Sequence, residues 1–546
     1  MKKATYIALQ IHAAAIALLL GPCSPAIAGG SVDNSALIPP YVPHDQVRLE
    51  GMSPDWVKSL VIVELRIETA TEEGTFDAAI SKLDHYAEMG VNALWICPVY
   101  DRKTESGYNN GYKNFGPHTV YPALTGVTSP DESYKVIRRF VEAAHQRNIR
   151  VFLDIISWGV AKDAPLVGEQ PDFWIKLPSG EYREAYDDYL FDWSKPHFRE
   201  WFVAQAVKLI EETKADGFRV DLAPDTSGYH FKEVRDALYS RGHKIAIFSE
   251  MPSEPRGTFD FAQMGVNGWT ERPAYGQPEV FAEQKKRFGS LHDSSFMFRT
   301  NLVGAVKGGI GIGRPELQEK GEGGLFRFYA ATPLCHDGYG PFVKGNLVRF
   351  GYIALSPFLP IWWIGEEWNN PKNVRKGTGV MYFNNIDWKA KSEPVNAEFF
   401  EEVKKVLRVR RMFPTIFEHF SESLREANIA KIDSTRDGTP NPLQAYMRYA
   451  GNKAVLVAPN YESTTPASTY RIKTFSEEWG KDQNGTVRLT DLMTGEVLAT
   501  KPWAELREFE ATIEAESLGV FLLEMDESTS RADTPEQASR TPQAAE

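Results

Sequence analysis

Residues 149–156 read IRVFLDII, and residues 217–223 read GFRVDLA. Each is a short apolar run carrying an Asp near its C-terminal end. A strand buried on both faces has this texture, because neither face alternates with water. Helical spacing precedes each run, over Tyr134–Arg147 and over Phe198–Lys214. Further out the alternation recurs. Val61–Ile67 is followed by Phe76, Ile80, Leu83 and Ala87 at helical spacing, with Thr75 as N-cap and Gly90 as stop. Val91–Val99 (VNALWICPV) comes next, and Phe231–Tyr239 leads into Lys244–Phe248. Further strands are expected at Gly268–Trp269, Phe328–Leu334 and Leu359–Ile364. Apolar strands alternating with amphipathic helices predict a parallel sheet covered by helices. About eight such units between residues 57 and 420 predict an α/β fold of the (β/α)8, or TIM, barrel type. A doubly wound open sheet is the rival. Its dinucleotide signature would have to be Gly308–Gly313 (GGIGIG), which does not sit between a clear early strand and a helix.

The barrel is expected over 55–424, with a loop subdomain at 158–197 after the third strand. That excursion mixes Trp158, Trp174, Tyr182, Tyr186, Tyr189 and Trp193 with charges, and connections this long are usually functional or small subdomains. From 425 to 526 the texture changes to short β-rich runs with turns such as Asn484-Gly485, which predicts an antiparallel β-sandwich domain. Residues 527–546 lack an apolar stripe and read as a disordered tail. At the other end, Lys2 and Lys3, the apolar run Ala13–Leu20 and the small-x-small site Ala26-Ile27-Ala28 read as a signal peptide over 1–28, followed by a leader over 29–54. Export to the periplasm or medium is therefore expected. Lipoprotein processing at Cys23 is the alternative, disfavoured by Pro22. No later segment reaches membrane-spanning length.

A net charge of -12 argues against nucleic acid as a partner. Three cysteines, one of them in the signal, exclude a disulfide scaffold; Cys97 and Cys335 are expected as buried free thiols. No Cys/His spacing resembles a zinc site. Aromatic residues make up 12% of the chain. Aromatic faces suit sugar rings, yet in a protein this large most of them are simply core.

In a barrel, catalytic groups stand where strands run into the loops at their C-terminal ends. The third strand ends at Asp154, the fourth supplies Arg219 and Asp221, the fifth ends at Ser249-Glu250 and the seventh at His336-Asp337. Arg219 and Asp221 are two apart, so both point to one face. The cation favours an ionised Asp221, as a nucleophile requires. Glu250 follows the apolar run Ile245–Phe248, and burial there would raise its pKa, as a proton donor requires. Any one of these carboxylates alone reads more readily as half of a structural ion pair. Three at three strand ends, beside Arg219 and His336, point to chemistry. Cleavage of a glycosidic bond uses such a set, one carboxyl attacking or activating water and another protonating the leaving oxygen.

These residues resemble the motifs of the α-amylase superfamily, glycoside hydrolase family 13, over roughly 55–525. Gly217–Asp221 is similar to its G-x-R-x-D segment, which implies Asp221 as nucleophile and Arg219 as its partner. Ser249-Glu250 resembles the segment with the acid/base. His336-Asp337 resembles the closing pair, which implies a transition-state-stabilising Asp and two sugar contacts. Gly111-Tyr112, after Pro98-Val99-Tyr100, resembles the Gly-Tyr whose ring stacks under the sugar, with Gly107-Tyr108 a weaker competitor. Leu407-Arg408 through Phe413-Pro414 resembles the last barrel helix.

The sequence departs from the family twice. Ser157-Trp158-Gly159 stands where an Asn-His pair is usual, the Asn being a calcium ligand and the His a sugar contact; Cys335 replaces the Asn before the final His-Asp. No metal is expected at the usual site, since Trp offers no side-chain oxygen, and no cofactor is expected. Trp158 brings an indole N–H and an apolar face in place of the His, as a pocket wall or as core under the loop. The resemblance implies a retaining hydrolase of α-glucosidic bonds in starch-like glucans or oligosaccharides. A transglycosylase or isomerase using the same covalent intermediate is one alternative. A non-catalytic carbohydrate- or partner-binding protein on the same barrel is another.

Overall fold

The computed structural model describes residues 53–103, 111–221, 225–250, 259–264, 302–307, 328–331, 347–371, 381–418, 427–441, 443–460, 465–480 and 485–526. Eight parallel strands close into a barrel. In chain order they are Ile62–Leu65, Ala93–Ile96, Arg150–Ile156, Gly217–Asp221, Ala246–Ser249, Phe261–Met264, Phe328–Ala331 and Leu359–Trp363. Each pairs with the next, and the eighth pairs back on the first with Ile62 opposite Ile361. The sixth strand lies ahead of the expected Gly268–Trp269, which is outside the described residues. Phe261 pairs in register with Phe248 of the fifth strand and Phe328 of the seventh, and its ring stacks on that of Phe248, so pairing within the barrel, not a longer apolar run, selects this segment.

The barrel interior is a packed floor. Ile62, Ala93, Trp95, Phe152, Ala246, Phe248, Phe261, Leu359 and Ile361 fill it, with Val57 and Leu60 from the entering chain beneath. Phe248 and Phe261 stack with centroids 4.6 Å apart, and Phe152 meets Phe248 edge-on at 5.4 Å. Gly217 begins the fourth strand because a Cβ there would stand 1.8 Å from the Ala246 carbonyl oxygen. No other residue lets these two strands approach as they do.

Helices pack outside. Pro130–His145 and Pro196–Thr213 precede the third and fourth strands, each with Pro in its first turn, where a missing N–H costs nothing. The helix expected from Phe76 is capped by Thr75, whose Oγ1 accepts from the Ala78 N–H at 3.3 Å. It is broken into Phe76–Ala79 and Leu83–Met89 by a 3-10 turn over Ile80–Lys82, and Gly90 ends it. The long helix Pro394–Met412 closes the barrel.

The excursion after the third strand is a small subdomain. Gly159–Ala161, Asp188–Leu190 and Glu184–Ala185 form a three-stranded sheet in that order. Trp174, Phe191 and Phe198 make a stacked column beneath it, with centroids 5.2 Å and 4.7 Å apart. Trp174 and Trp193 are therefore core.

After the barrel come two antiparallel sheets. One has six strands, from Ile429–Ile432 to Val497–Pro502, and the other has four, centred on Ala467–Lys473 and Glu508–Glu514. They share one core containing Met447, Leu456 and Leu523 from the first sheet and Tyr470, Ile472 and Ile513 from the second. A separate seam joins this sandwich to the barrel. Tyr352 donates to the Gln444 carbonyl at 2.6 Å, Tyr446 donates to the Tyr352 carbonyl at 2.8 Å, and their rings meet edge-on. Cys97 is buried as a free thiol just past the second strand. Residues 1–52, the tail 527–546, Cys335 and Gly308–Gly313 lie outside the described residues.

Candidate active site

Arg219 organises the mouth of the barrel. It is fully buried, in mid-strand, and its register partner on the third strand is Asp154. Its Nη1 lies 2.5 Å from Asp221 Oδ1 and 3.2 Å from Asp154 Oδ2. Its Nη2 lies 3.3 Å from Glu250 Oε2. Strand alternation explains the first contact: residues 219 and 221 share a face. Register explains the second. The Glu250 N–H continues the ladder to the Val220 carbonyl at 3.1 Å, which holds Glu250 beside the end of the fourth strand. Burial opposes the guanidinium's charge, but Asp154, Glu250 and Asp221 around it more than offset that, and Arg219 stays protonated.

Asp154 is the base of the cluster. Trp95 Nε1 donates to its Oδ2 at 3.1 Å, Tyr112 Oη donates to the same oxygen at 2.8 Å, and Tyr100 Oη donates to its carbonyl at 2.7 Å. Burial raises the pKa of its carboxyl, with Arg219 and these donors pulling the other way and Asp221 adding to the rise. The Arg219 guanidinium also lies 4.7 Å from the Trp95 ring and 5.7 Å from the Tyr112 ring. Cation–π contacts of this kind keep the cation stationary without using its N–H groups. Gly111 precedes Tyr112 with φ of +98°, and a Cβ there would stand 2.7 Å from Arg102 Nη1 and 3.0 Å from the Pro98 carbonyl oxygen. That is the physical reason for a Gly-Tyr pair at this point. Gly107-Tyr108 lies outside the described residues.

Trp158 sits on Asp221 itself. Its Nε1 donates to Asp221 Oδ2 at 3.0 Å, and its ring is 8% exposed. Thus Oδ1 of Asp221 is held by an arginine and Oδ2 by an indole. Trp193 supports this loop by donating to the Ser157 carbonyl at 2.8 Å. Ser157 turns its hydroxyl to the Asp221 carbonyl at 3.5 Å. Among the described residues no group of three or more His, Cys, Asp or Glu side chains is placed to hold a metal ion.

Of the expected residues, Asp221, Glu250, Arg219, Tyr112 and Trp158 are brought together. His336 and Asp337 lie outside the described residues, beyond the seventh strand, Phe328–Ala331. Trp95 and Tyr100 were missed as site residues because their stretch reads as plain core. The available signal was their polar tips: a buried indole N–H or phenol needs an acceptor, and the second strand pairs Trp95 with Phe152, two residues before Asp154.

Fold and site together define a (β/α)8 barrel with three carboxylates on one buried guanidinium at the strand ends. Residues 57–166 match the model of the α-amylase catalytic domain. The chain is 25% identical over 318 residues to an α-amylase, MalA, of Haloarcula japonica, covering 52% of this chain and 44% of that one. It is 29% identical over 343 residues to a malto-oligosyltrehalose trehalohydrolase of Saccharolobus solfataricus, covering 57% of each. The chain thus spans about half the length of these relatives. Among solved structures, a maltogenic α-amylase of Thermotoga neapolitana superposes with a TM-score of 0.63 at 16% identity, covering 86% of this chain and all of that one. An α-amylase of Geobacillus thermoleovorans, solved with acarbose, gives 0.60 at 16% identity, covering 86% and 99%. Over residues 57–166 the chain is thus similar to the α-amylase catalytic domain, and the barrel has the fold of these α-amylases.

Proposed function

We infer that the protein is a retaining glycoside hydrolase acting on α-glucosidic bonds of starch-like glucans or oligosaccharides. The supporting observation is the pair Asp221 and Glu250 on the two amino nitrogens of one buried arginine. Double displacement needs its two carboxyl groups close together, about 5–5.5 Å apart, whereas inversion needs room for a water between them. Asp221 attacks the anomeric carbon while Glu250 protonates the glycosidic oxygen, which leaves with its sugar. Glu250 then takes a proton from water, whose oxygen displaces Asp221 and returns the product with its original anomeric configuration. Arg219 and Trp158 each hold one oxygen of Asp221, so the carboxylate cannot rotate away from the sugar. Tyr112, fixed through its hydroxyl on Asp154, offers its ring below the sugar. His336 and Asp337 complete the site in this reading, and export through the N-terminal signal puts the enzyme outside the cytoplasm. One relative is by name an α-amylase and the other a malto-oligosyltrehalose trehalohydrolase, which supports an α-glucan substrate for this chain.

The test is a panel of soluble starch, maltooligosaccharides, sucrose and trehalose, with products followed by proton NMR from the first minutes. Release of α-anomeric sugar from at least one α-glucan is the expected result. Initial β-anomer excludes the retaining reading. No turnover on the whole panel, with sugar binding retained, favours a carbohydrate-binding protein.

A further inference from the structure

At the end of the barrel opposite Asp221 and Glu250, the residues entering the first three strands and the closing helix line a cavity of about 240 Å³. Val61, Asn92 and Asn148 stand just ahead of the first, second and third strands. Arg410 and Arg411 come from the last turn of Pro394–Met412, and Glu418 from the segment after it. Asn92 stiffens the wall: its Oδ1 accepts from the Val61 N–H at 2.7 Å, and its Nδ2 donates to the Ser59 carbonyl at 2.8 Å.

The wall carries more positive charge than it neutralises. Arg147 on one side is paired with Asp84 at 2.6 Å. Arg410 is only 3% exposed, and among the described residues its guanidinium donates one hydrogen bond, from Nη1 to the neutral Ala354 carbonyl at 3.0 Å. Arg411 makes no hydrogen bond and no ion pair among the described residues. Glu418, the one carboxylate among the described residues of the wall, pairs with neither arginine. A further cation stands close by. Arg448 and Arg410 both lie against the Phe417 ring, at 5.4 Å and 5.9 Å, and Arg448 Nη1 is buried without a hydrogen-bond partner. Burial pushes the pKa of Arg410 down to about 10 and that of Arg448 down to about 9, the second helped by the charge of Arg410. Both remain cations at neutral pH, and a cation taken out of water without a counter-charge is costly.

Arg411 is held in place for an incoming charge. Its guanidinium lies against Gly90, where a Cβ would stand 2.1 Å from Nη1. Gly90 ends the helix Leu83–Met89 in a left-handed conformation. The C-terminal end of a helix favours a cation, but it offers only about half a charge, which is short of what two arginines need.

We propose that this cavity binds a small oxyanion, a phosphate group, gripped by the guanidinium forks of Arg410 and Arg411, and that the bound anion ties the closing helix to the N-terminal ends of the first three strands. The ligand class follows from the donors: the planar fork of a guanidinium matches the paired oxygens of a phosphate. Free orthophosphate and the phosphate of a sugar phosphate share this chemistry, and the test separates them. The site is remote from the catalytic mouth, so it stands or falls independently of the reaction performed there.

Titration calorimetry and thermal unfolding, at constant ionic strength in chloride, supply the test. The probes are orthophosphate, glucose 6-phosphate and glucose; the proteins are wild type, Arg411→Gln, Arg410→Gln and Lys405→Gln. Lys405 is a control cation on the same helix that is not on the cavity wall. Wild type and Lys405→Gln are expected to bind orthophosphate saturably, with a melting temperature raised by about 2–5 °C at saturation. Arg411→Gln, a change at an exposed side chain that leaves the core intact, is expected to bind about 10-fold or more weakly and to lose most of that rise. Arg410→Gln is expected to do the same, its folding checked by circular dichroism. Glucose 6-phosphate binding more tightly than orthophosphate, again through Arg411, makes a sugar phosphate the ligand; weaker binding makes it free phosphate. A melting temperature that climbs without saturation, and equally in Arg411→Gln, is the general salting effect of phosphate and overturns the proposal. So does the absence of orthophosphate binding to wild type, or binding of either phosphate that Arg411→Gln leaves unchanged, or glucose binding as tightly as its phosphate.

Discussion

Trp158 carries two loads at one position. Its ring packs beneath the subdomain, while its N–H completes the hydrogen bonding of Asp221. The loads separate by substitution. Trp158→Phe keeps most of the ring and deletes the donor; a hydrogen bond to a charged group is worth about 1.5–3 kcal/mol. Turnover of a good substrate is expected to fall about 10- to 100-fold while the melting temperature moves little. Trp158→Ala also opens a cavity and is expected to cost about 3–5 kcal/mol of stability. Steady-state kinetics and thermal unfolding of both variants check this, and a Phe variant with wild-type kinetics shows that the indole N–H is idle. Arg219 is the other residue on which the site depends. Arg219→Met leaves Asp154, Asp221 and Glu250 buried without their common cation, and breaking buried ion pairs from one side costs about 3–5 kcal/mol. The variant is expected to melt well below wild type at pH 7, with part of the deficit recovered as acid neutralises the stranded carboxylates. A melting temperature as high as wild type contradicts the account of Arg219 as the organising charge.

The hairpin Glu184–Leu190 shows how an element can be held at the edge of its stability. Asp188 is wholly buried, and neither of its carboxylate oxygens has a hydrogen-bond partner among the described residues. Burial pushes its pKa up to about 7, with Lys113 and Lys162 pulling it down and Asp187 and Asp163 pushing it up. Such an acid binds more protons folded than unfolded between its ordinary pKa and the raised one, so stability falls as pH climbs from about 4 to about 7. Asp188→Asn removes that loss. The variant is expected to gain on wild type by about 2–4 kcal/mol between pH 4 and pH 8, read from denaturant unfolding at each pH; a gap independent of pH contradicts the burial argument. None of this is visible in the string YDDYL, where two adjacent aspartates look like part of a solvated loop. Legibility followed burial. The strands Arg150–Ile156 and Gly217–Asp221 are buried along nearly their whole length, and their apolar runs announce them. Phe261–Met264 carries Gln263 in a short segment and is selected by partners on both sides, which no local pattern records. At the site, Asp154, Arg219 and Asp221 could be placed from strand alternation. Their union with Trp95, Tyr100 and Tyr112 depends on register between strands far apart in sequence.

At the scale of the molecule, barrel and sandwich are joined through Tyr352, Tyr446 and Gln444, with Gly351 close against Leu518. Tyr352→Ala opens a cavity at that seam and is expected to lower the melting of both parts together by calorimetry; two separated transitions would show that the sandwich unfolds on its own. The barrel in turn holds the subdomain loop at its mouth, where Trp158 from the loop meets Asp221 at the end of the fourth strand. The central claim is that this assembly forms a covalent bond between a sugar and Asp221. Incubating the enzyme with an activated 5-fluoro-α-glucosyl fluoride, which slows the second displacement more than the first, and mapping the digested protein by mass spectrometry tests it directly. A hexosyl adduct on the peptide containing Asp221, absent from Asp221→Asn, is the predicted result. An adduct on another carboxylate, or steady hydrolysis through a site indifferent to Asp221→Asn, would contradict the assignment.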